Sequence, residues 1–306
     1  MIELDRAAFL AHPDVAAFIT WLISNLPTLP VHLRIRRSTF VPRALDLQLT
    51  GIEQVRDQYQ WNGNWALVQR QLADLKGNLQ QAVRAGDEAA TCCASVAILE
   101  WGNVPRSTAF LQRLQQEGKL VQYLNDRAQL LSPIGTQRLG DLTKAIFFKF
   151  NSGLTKVHAL LDPDGSPIYD GRVGAAIAML YHLYRNSGSA KASANHAMFA
   201  WGPGMDGQGS QTIRQIRNPR LLGYLGTPQL LSHQSPHLWA QRQLILSWII
   251  RDVLQRSRLF ESDGAGLAAR CHALEAGLFT LGYDLRAMLP DGWSVPDPRK
   301  RSSSTR

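Results

Sequence analysis

Apolar residues recur with the helical period along most of this chain. Positions i, i+3, i+4 and i+7 are apolar in successive segments, which is the pattern of helices that bury one face. Asp87, Ser107 and Pro236 add helix-start signals at the beginning of three of these segments. The segments that predict helices are 13–24, 65–85, 88–101, 107–117, 139–150, 154–161, 173–184 and 238–258.

Alternation of apolar and polar residues, which is typical of strands, is limited to 31–35 and 46–50. Neither segment repeats enough to build a large sheet, so the sequence predicts a mostly α fold. Three prolines and a basic cluster set the first 60 residues apart: Pro27, Pro30, Pro42, Arg34, Arg36 and Arg37. We therefore expect a small N-terminal extension (1–60), a compact helical body (61–295) and a disordered basic tail (296–306).

The composition indicates a globular protein. Hydrophobic residues make up 45% and charged residues 19%, as in ordinary folded domains, which excludes a disordered or fibrous chain. The apolar run 16–26 is too short to cross a bilayer and has no basic segment before it, so we expect no membrane association and no signal peptide. Three cysteines without a CxxC pair suit a reducing compartment, and the expected location is the cytoplasm.

No pattern indicates a metal ion or a cofactor, and we expect none to be bound. The cysteines lack the spacing of a metal site, and His158 and His182 lack a spaced carboxylate partner. Neither a P-loop nor a dinucleotide-binding fingerprint is present.

The charge balance predicts an anionic partner. The net charge is +9, which favours nucleic acid before a membrane surface. Residues 211–260 contain seven arginines, with Asp252 as the single acid. Arg214, Arg217 and Arg220 recur every three residues, which on a helix would place them along one side. A solvated helix face is one interpretation of this triplet, and the scarcity of acids favours a surface that faces phosphate.

The most informative stretch is 139–184. Asn151 to Gly153 interrupts the helical period between the segments 139–150 and 154–161. Residues 162–165 read DPDG, a turn by composition. Asp170 then stands where an N-cap is expected, directly before an alanine-rich apolar helix. The order is therefore helix, short glycine-containing turn, helix, and an aspartate before a third helix.

This arrangement resembles the helix-hairpin-helix DNA glycosylases, the superfamily that includes the endonuclease III and 8-oxoguanine glycosylase types. The resemblance rests on 152–157, reading SGLTKV, for the hairpin and on 168–173, reading IYDGRV, for the aspartate. Ser152 stands where the family's hairpin has proline, and Thr155 where it has its second glycine. The interval from Lys156 to Asp170 is shorter than usual, and no four-cysteine iron–sulfur signature is present. The chain is thus similar to a divergent member.

The resemblance implies an enzyme that flips a base out of double-stranded DNA and hydrolyses its N-glycosidic bond. Asp170 would stabilise the positive charge that develops on the sugar and activate the attacking water. Capping its helix is the alternative role for Asp170, and the two roles are compatible. Lys156 would be a Schiff-base nucleophile in a bifunctional enzyme, whereas a phosphate contact or a solvated lysine is the commoner role. The expected enzyme is therefore monofunctional and leaves an abasic site.

The same resemblance implies several DNA contacts. The backbone amides at the hairpin would bind a phosphate, with tight helix packing as the alternative reason for the glycine. The turn at 100–106 is similar in chain order to the family's loop that fills the emptied base stack. The residues expected to contact DNA are Ser152, Gly153, Leu154, Thr155, Asn103, Arg106, Arg172, Arg214 and Arg217.

Two classes of function remain open. The first is a glycosylase acting on an oxidised, alkylated or deliberately modified base, in DNA repair or in defence against modified phage DNA. The second is a non-catalytic helix-hairpin-helix protein that only binds nucleic acid. Burial separates them, because a catalytic Asp170 should line a pocket beside Lys156, whereas a mere cap should face solvent. The sequence leaves the excised base and the oligomeric state undetermined.

Overall fold

The computed structural model describes residues 3–189, 196–202, 215–230, 235–263 and 266–295. Within these ranges the chain forms eleven α-helices and one two-stranded antiparallel sheet, which confirms the mostly α prediction. The elements are α1 (Arg6–Ala11), α2 (Pro13–Asn25), β1 (Pro30–Ile35), β2 (Leu45–Thr50), α3 (Gly51–Asp57), α4 (Trp65–Ala85), α5 (Glu88–Trp101), α6 (Thr108–Gln116), α7 (Leu120–Leu131), α8 (Ser152–Leu161), α9 (Gly171–Asn186), α10 (Pro236–Gln255) and α11 (Leu267–Leu281).

Capping side chains explain why the boundaries of α4 and α5 match the sequence prediction to the residue. The Asn64 side chain accepts a hydrogen bond from the backbone amide of Leu67, and the Asp87 side chain accepts one from Ala90. Gly86 ends α4 in the left-handed conformation, with φ of 67°. Both strands are also where the sequence places them, paired antiparallel with Pro30 opposite Thr50.

The helix predicted at 139–150 is wrong. Only Leu139–Asp141 forms a single 3₁₀ turn, and 142–151 is irregular. Phe147 and Phe150 of this segment are buried, and the Phe150 ring packs onto α8, where it stacks on His158 at 5.5 Å between centroids. Phe147 meets Phe150 edge to face at 5.3 Å. The apolar spacing of this segment therefore reflects contacts with a neighbouring helix. The helix that precedes α8 in the chain is α7, which the periodicity did not predict.

The prediction that Arg214, Arg217 and Arg220 lie along one side of a helix is also wrong for the residues that the structure describes. Arg214 lies outside the described residues, and 215–218 is not helical. A single 3₁₀ turn follows at Pro219–Leu222, capped by Asn218. The proline explains the difference, because the residue before a proline is disfavoured in helical conformation.

Residues of the predicted N-terminal extension contribute to the same core as the helical body. Phe9 and Phe18 are fully buried, and the Phe18 ring meets Tyr181 of α9 edge to face at 5.3 Å. Asp14 of α2 is buried and accepts hydrogen bonds from the hydroxyls of Tyr181 and Tyr184. α3 packs along α11. The predicted tail, 296–306, lies outside the described residues.

The helices converge so that several of their ends meet at one place. α8 packs against α4, α5 and α7, and α9 packs against α2 and α11. The first turns of α8 and α9, the end of α5 and the second half of α11 thereby bring their side chains together. Among the described helices, none combines the length and the apolar character that a bilayer crossing requires.

Candidate functional site

Lys156 lies inside the structure near the start of α8. It is 6% exposed, and its Nζ donates a hydrogen bond to the carbonyl of Ser152 at 3.1 Å, one helical turn earlier. Burial lowers the pKa of this amine, while the negative charges of Asp170 and Glu275 act in the opposite direction. A buried lysine with a lowered pKa is more readily a neutral, nucleophilic amine than a surface lysine is.

The turn after α5 lies directly against this lysine. A Cβ atom placed on Gly102 would lie 2.6 Å from Cδ and 2.7 Å from Cε of Lys156, so glycine is required for the observed path of the lysine side chain. The next residue, Asn103, is exposed in the left-handed region with φ of 50°, and Arg106 is exposed shortly after it. The structure thus brings the turn with the two predicted DNA-contacting side chains next to Lys156.

Asp170 is both buried and the N-cap of α9. The residue is 8% exposed, and its Oδ1 accepts hydrogen bonds from the backbone amides of Arg172 at 2.8 Å and Val173 at 3.0 Å. Its Oδ2 lies 3.9 Å from the guanidinium of Arg172. One carboxylate oxygen is therefore held by the helix, and the other is directed toward charged neighbours.

The segment that carries Asp170 is fastened to α8. The hydroxyl of Thr155 donates to the carbonyl of Tyr169 at 3.0 Å. The side-chain amide of Gln243, from α10, donates to the carbonyls of Thr155 and Pro167, both at 3.0 Å. These three bonds are buried, and they fix the distance between Lys156 on α8 and the aspartate that follows Tyr169.

Aromatic rings surround the guanidinium of Arg172. Its central carbon lies 5.3 Å from the ring centroid of Trp61 and 4.7 Å from those of Phe279 and Tyr283. Its Nε is buried without a hydrogen-bond partner. The side chain is therefore held mainly by cation–π contacts. Sequence reasoning treated Trp61 as a core residue and did not single out the other two rings.

Glu275 completes a cluster of four charged side chains, which we call the charged cluster: Lys156, Asp170, Arg172 and Glu275. Glu275 lies on α11 one turn before Phe279 and is 7% exposed. Burial raises the pKa of its carboxyl, and the nearby His272, with Nδ1 at 3.8 Å, opposes this shift. The sequence offered no local motif for Glu275, since it stands in an apolar helix more than one hundred residues after Asp170.

The predicted phosphate site at the hairpin is occupied by the protein itself. Oδ1 of Asn151 accepts hydrogen bonds from the amides of Gly153 at 2.9 Å and Leu154 at 3.2 Å. A Cβ on Gly153 would lie 3.0 Å from Leu99 and 3.3 Å from the Val104 carbonyl, so close helix packing accounts for this glycine. The amides of Gly153 and Leu154 are therefore already bonded to Asn151, which caps α8 in this structure.

Arg217, also expected to contact DNA, is a buried side chain. It is 4% exposed, and its guanidinium donates to the carbonyl of Tyr283 at 3.4 Å and to the side chain of Gln215. Because it is buried, this side chain does not lie on a surface that faces phosphate. Its hydrogen bond instead supports the backbone of Tyr283, one of the three rings around Arg172. Arg214 lies outside the described residues.

The site holds a carboxylate, an amine and aromatic rings in one buried place, a combination that can stabilise a cation and direct a water molecule. In the described part of the chain, no three His, Cys, Asp or Glu side chains are grouped so that they could hold a metal ion. Compared with known proteins, the chain matches no protein-family model, no curated protein and no solved structure.

Proposed function

We propose that this protein is a monofunctional DNA N-glycosylase with a helix-hairpin-helix-like body, in which Asp170 promotes hydrolysis of the bond between a flipped base and its sugar. The observation that carries the proposal is the burial of the Asp170 carboxylate among Lys156, Arg172 and aromatic rings. An aspartate that only caps a helix needs no such surroundings, and caps commonly face solvent, as Asp87 does at the start of α5.

Asp170 has the geometry for this reaction. As the C–N bond breaks, its electrons leave with the base, and the sugar gains positive charge. Oδ2 of Asp170 faces that charge and accepts the proton of the water that attacks the sugar carbon. The departing base takes up a proton from solvent, and Asp170 then returns its proton to solvent. The two backbone amides on Oδ1 keep the carboxylate in a fixed orientation, which lowers the cost of reorganisation in the transition state.

The rings around Arg172 support the binding of a planar group. A flipped base needs a pocket in which it stacks between aromatic or apolar side chains. The guanidinium of Arg172 is itself planar and lies within 4.7–5.3 Å of three ring centroids. We propose that the base takes this position and that Arg172 turns toward the DNA backbone.

The turn after α5 supports the base-flipping part of the proposal. Asn103 and Arg106 are exposed on a turn whose Gly102 touches Lys156. A side chain that enters the emptied base stack must extend from a fixed point beside the active site. Asn103 meets this requirement, because the backbone on both sides of it is hydrogen-bonded to α5.

The non-catalytic alternative is favoured by one observation, that the cap on α9 gives Asp170 a structural role of its own. Such a protein would bind DNA through the same turn and would release no base. The two candidate functions therefore differ in whether a base is released, and both predict DNA binding through the turn after α5.

The test is a count of abasic sites. Wild-type protein is incubated with genomic DNAs from several sources, including modified phage DNA, and aldehyde-reactive sites are counted. Asp170→Asn keeps the cap, because asparagine caps helices as well as aspartate does, and removes the carboxylate. We expect the rate of base release to fall by about 10²- to 10⁴-fold. Asp87→Asn makes the same change at the exposed cap of α5 and should leave the rate unchanged.

The outcomes separate the candidates. DNA binding without abasic sites on any DNA would establish the non-catalytic alternative. Equal rates of base release by wild type and Asp170→Asn would refute the catalytic role of Asp170. Borohydride added during the reaction traps a covalent protein–DNA adduct when an amine is the nucleophile. We expect no adduct. An adduct that forms with wild type and not with Lys156→Gln would show that the enzyme is bifunctional and that Lys156 is its nucleophile.

A further inference from the structure

The loop that joins β1 and β2 contains a hydrogen-bonded turn. We call residues 36–43 the hairpin tip. Ser38 and Val41 exchange two backbone hydrogen bonds, at 3.0 and 3.1 Å, and enclose a two-residue turn at Thr39 and Phe40. Val41 is 1% exposed and anchors the tip in the core. The backbone of the tip is therefore organised without any partner.

Contacts join the hairpin tip to the candidate site. The Phe40 ring stacks on Trp61 with centroids 4.4 Å apart. The Gln60 side chain accepts a hydrogen bond from the amide of Arg43 at 3.0 Å and donates one to its carbonyl at 3.2 Å. Trp61 in turn contacts Arg172 and donates from its indole nitrogen to the carbonyl of Trp101 at 3.1 Å. The tip thus lies one residue contact away from both the charged cluster and the turn after α5.

Three arginines of the hairpin tip carry charge that the protein does not neutralise. Arg36, Arg37 and Arg43 are exposed, and within the described residues no carboxylate lies within 4 Å of their guanidinium groups. Arg34, by contrast, pairs with Asp46 at 3.0 Å and stacks on Trp293. The segment 33–45 contains no acidic residue. An uncompensated positive surface of this kind attracts an anion.

We propose that the hairpin tip binds the phosphate backbone of duplex DNA beside the nucleotide that enters the candidate site. The inference rests on the proposed function for the identity of the partner. Arginine suits phosphate because its planar fork donates two parallel hydrogen bonds. A fixed tip binds without the cost of ordering a loop. A lipid surface fits less well, because the two apolar side chains of the tip, Phe40 and Val41, are already packed against the protein.

The test measures how binding depends on salt. A fluorescent duplex of ordinary sequence is titrated with the full chain at several salt concentrations. Each phosphate contact contributes about 0.9 to the slope of log K against log salt. We expect Arg36→Gln/Arg37→Gln/Arg43→Gln to reduce the magnitude of this slope by about 2 to 3. The same triple substitution with lysine should keep the slope, because lysine keeps the charge.

A matched control removes equal charge elsewhere. Arg84→Gln/Arg113→Gln/Lys119→Gln neutralises three exposed cations on α4, on α6 and in the turn after α6, and its slope should equal that of wild type. Melting temperatures of all variants confirm that they are folded.

Binding of the same variants to phosphatidylserine vesicles is measured in parallel. Four results would overturn the proposal: no binding of duplex by wild type, an unchanged slope in the hairpin-tip variant, an equal fall in the control, or a loss of binding in the hairpin-tip variant that affects the vesicles and not the duplex. The proposed function is judged separately, since Asp170→Asn should bind duplex with the wild-type slope. A normal slope without base release in wild type would refute the catalysis and leave the DNA-binding surface established.

Discussion

Burial gives the side chains of the charged cluster their chemical character. Two cations and two carboxyl groups share a space from which most water is excluded, and the pKa values of Lys156 and Glu275 respond to the charges around them. Lys156 and Glu275 both shift toward their neutral forms because burial disfavours charge. The chemistry of each residue is therefore a property of the cluster.

Glu275 provides a prediction about pH. Its pKa is raised in the folded protein above the ordinary value of 4.5, so its contribution to stability is present below that value and is lost as the pH rises through the folded pKa. Glu275→Gln removes the ionisable group. We expect its stability relative to wild type to increase between pH 5 and pH 8, by about 1 kcal/mol, the usual size of a point-mutation effect.

Urea unfolding at pH 5, 6, 7 and 8 measures this difference. The exposed Glu117 is the control, since Glu117→Gln should change stability by less than about 1 kcal/mol at each pH. A stability difference for Glu275→Gln that stays constant or shrinks with rising pH would contradict the predicted direction.

At the residue scale, sequence reasoning identified the members of the cluster that lie in a local motif. Lys156, Asp170 and Arg172 stand within seventeen consecutive residues that combine a turn, a cap and two helices. Glu275, Phe279 and Tyr283 were missed because their chain neighbours are apolar and their partners are distant in sequence. A carboxylate within the apolar run of α11 was the available signal, since charged residues are rarely buried without a partner.

Among the elements, capping residues and close packing at helix ends position the site. Asn151 and Asp170 each satisfy two amides at the start of a helix. The cap at Asp170 is where the sequence predicts one, whereas α8 begins at Ser152, two residues before its predicted start. Gly102 then allows the end of α5 to approach α8. The distance between these elements sets the path of Lys156.

Gly102→Ala should disturb this approach. The new methyl group would overlap Cδ and Cε of Lys156, and we expect a loss of about 1–3 kcal/mol in unfolding free energy. Displacement of the lysine should also make it reactive toward reductive methylation, which mass spectrometry of the labelled peptide detects. The wild-type lysine is buried and should react slowly.

Gly77→Ala is the matched control for this change. Gly77 lies in the middle of α4, and no atom lies within 4 Å of the place that an alanine methyl group would take there. Alanine should therefore stabilise the helix by about 0.5–1 kcal/mol. If Gly102→Ala behaves like Gly77→Ala, the contact between the turn and Lys156 does not constrain either of them.

Helix prediction from periodicity succeeded for α4 and α5, missed α7 although one face of that helix is buried, and failed in two further, opposite situations. α11 is buried on nearly all sides through its second half, so it lacks the alternation that reveals an amphipathic helix. The segment 142–151 has the apolar spacing and is irregular, since Phe147 packs against Phe150 and the Phe150 ring packs onto α8. The spacing of apolar residues reflects which residues are buried. In these two cases the buried residues do not form one face of a helix.

For the whole molecule, the N-terminal helices and the body share one core. Asp14 is 1% exposed and lies among Tyr181, Tyr184 and Arg185 of α9, with the arginine at 3.3 Å. α2 also packs against α10. We therefore expect residues 3–60 to unfold together with the helices that carry the candidate site.

Asp14→Ala tests this shared core. Removing one partner of a buried ion pair and its hydrogen bonds should cost about 3–5 kcal/mol. Urea unfolding followed by far-ultraviolet circular dichroism and by tryptophan fluorescence should move to lower urea by the same amount with both probes. Asp126→Ala, at a half-exposed position on α7, should leave both curves nearly unchanged. A shift in only one probe would show that the N-terminal region unfolds independently.

The sequence by itself determined the helical class, the boundaries of α4, α5 and the two strands, and the positions of Lys156 in a helix and of Asp170 as the cap of the next helix. Those features depend on caps, turns and periodicity, which act between residues near one another in the chain. Tertiary structure alone decided that Arg172 lies among three rings, that Glu275 joins the charged cluster and that the hairpin tip stands beside Trp61. These contacts join residues far apart in the chain, and they form because packing of the helices buries apolar surface that no single helix can bury alone.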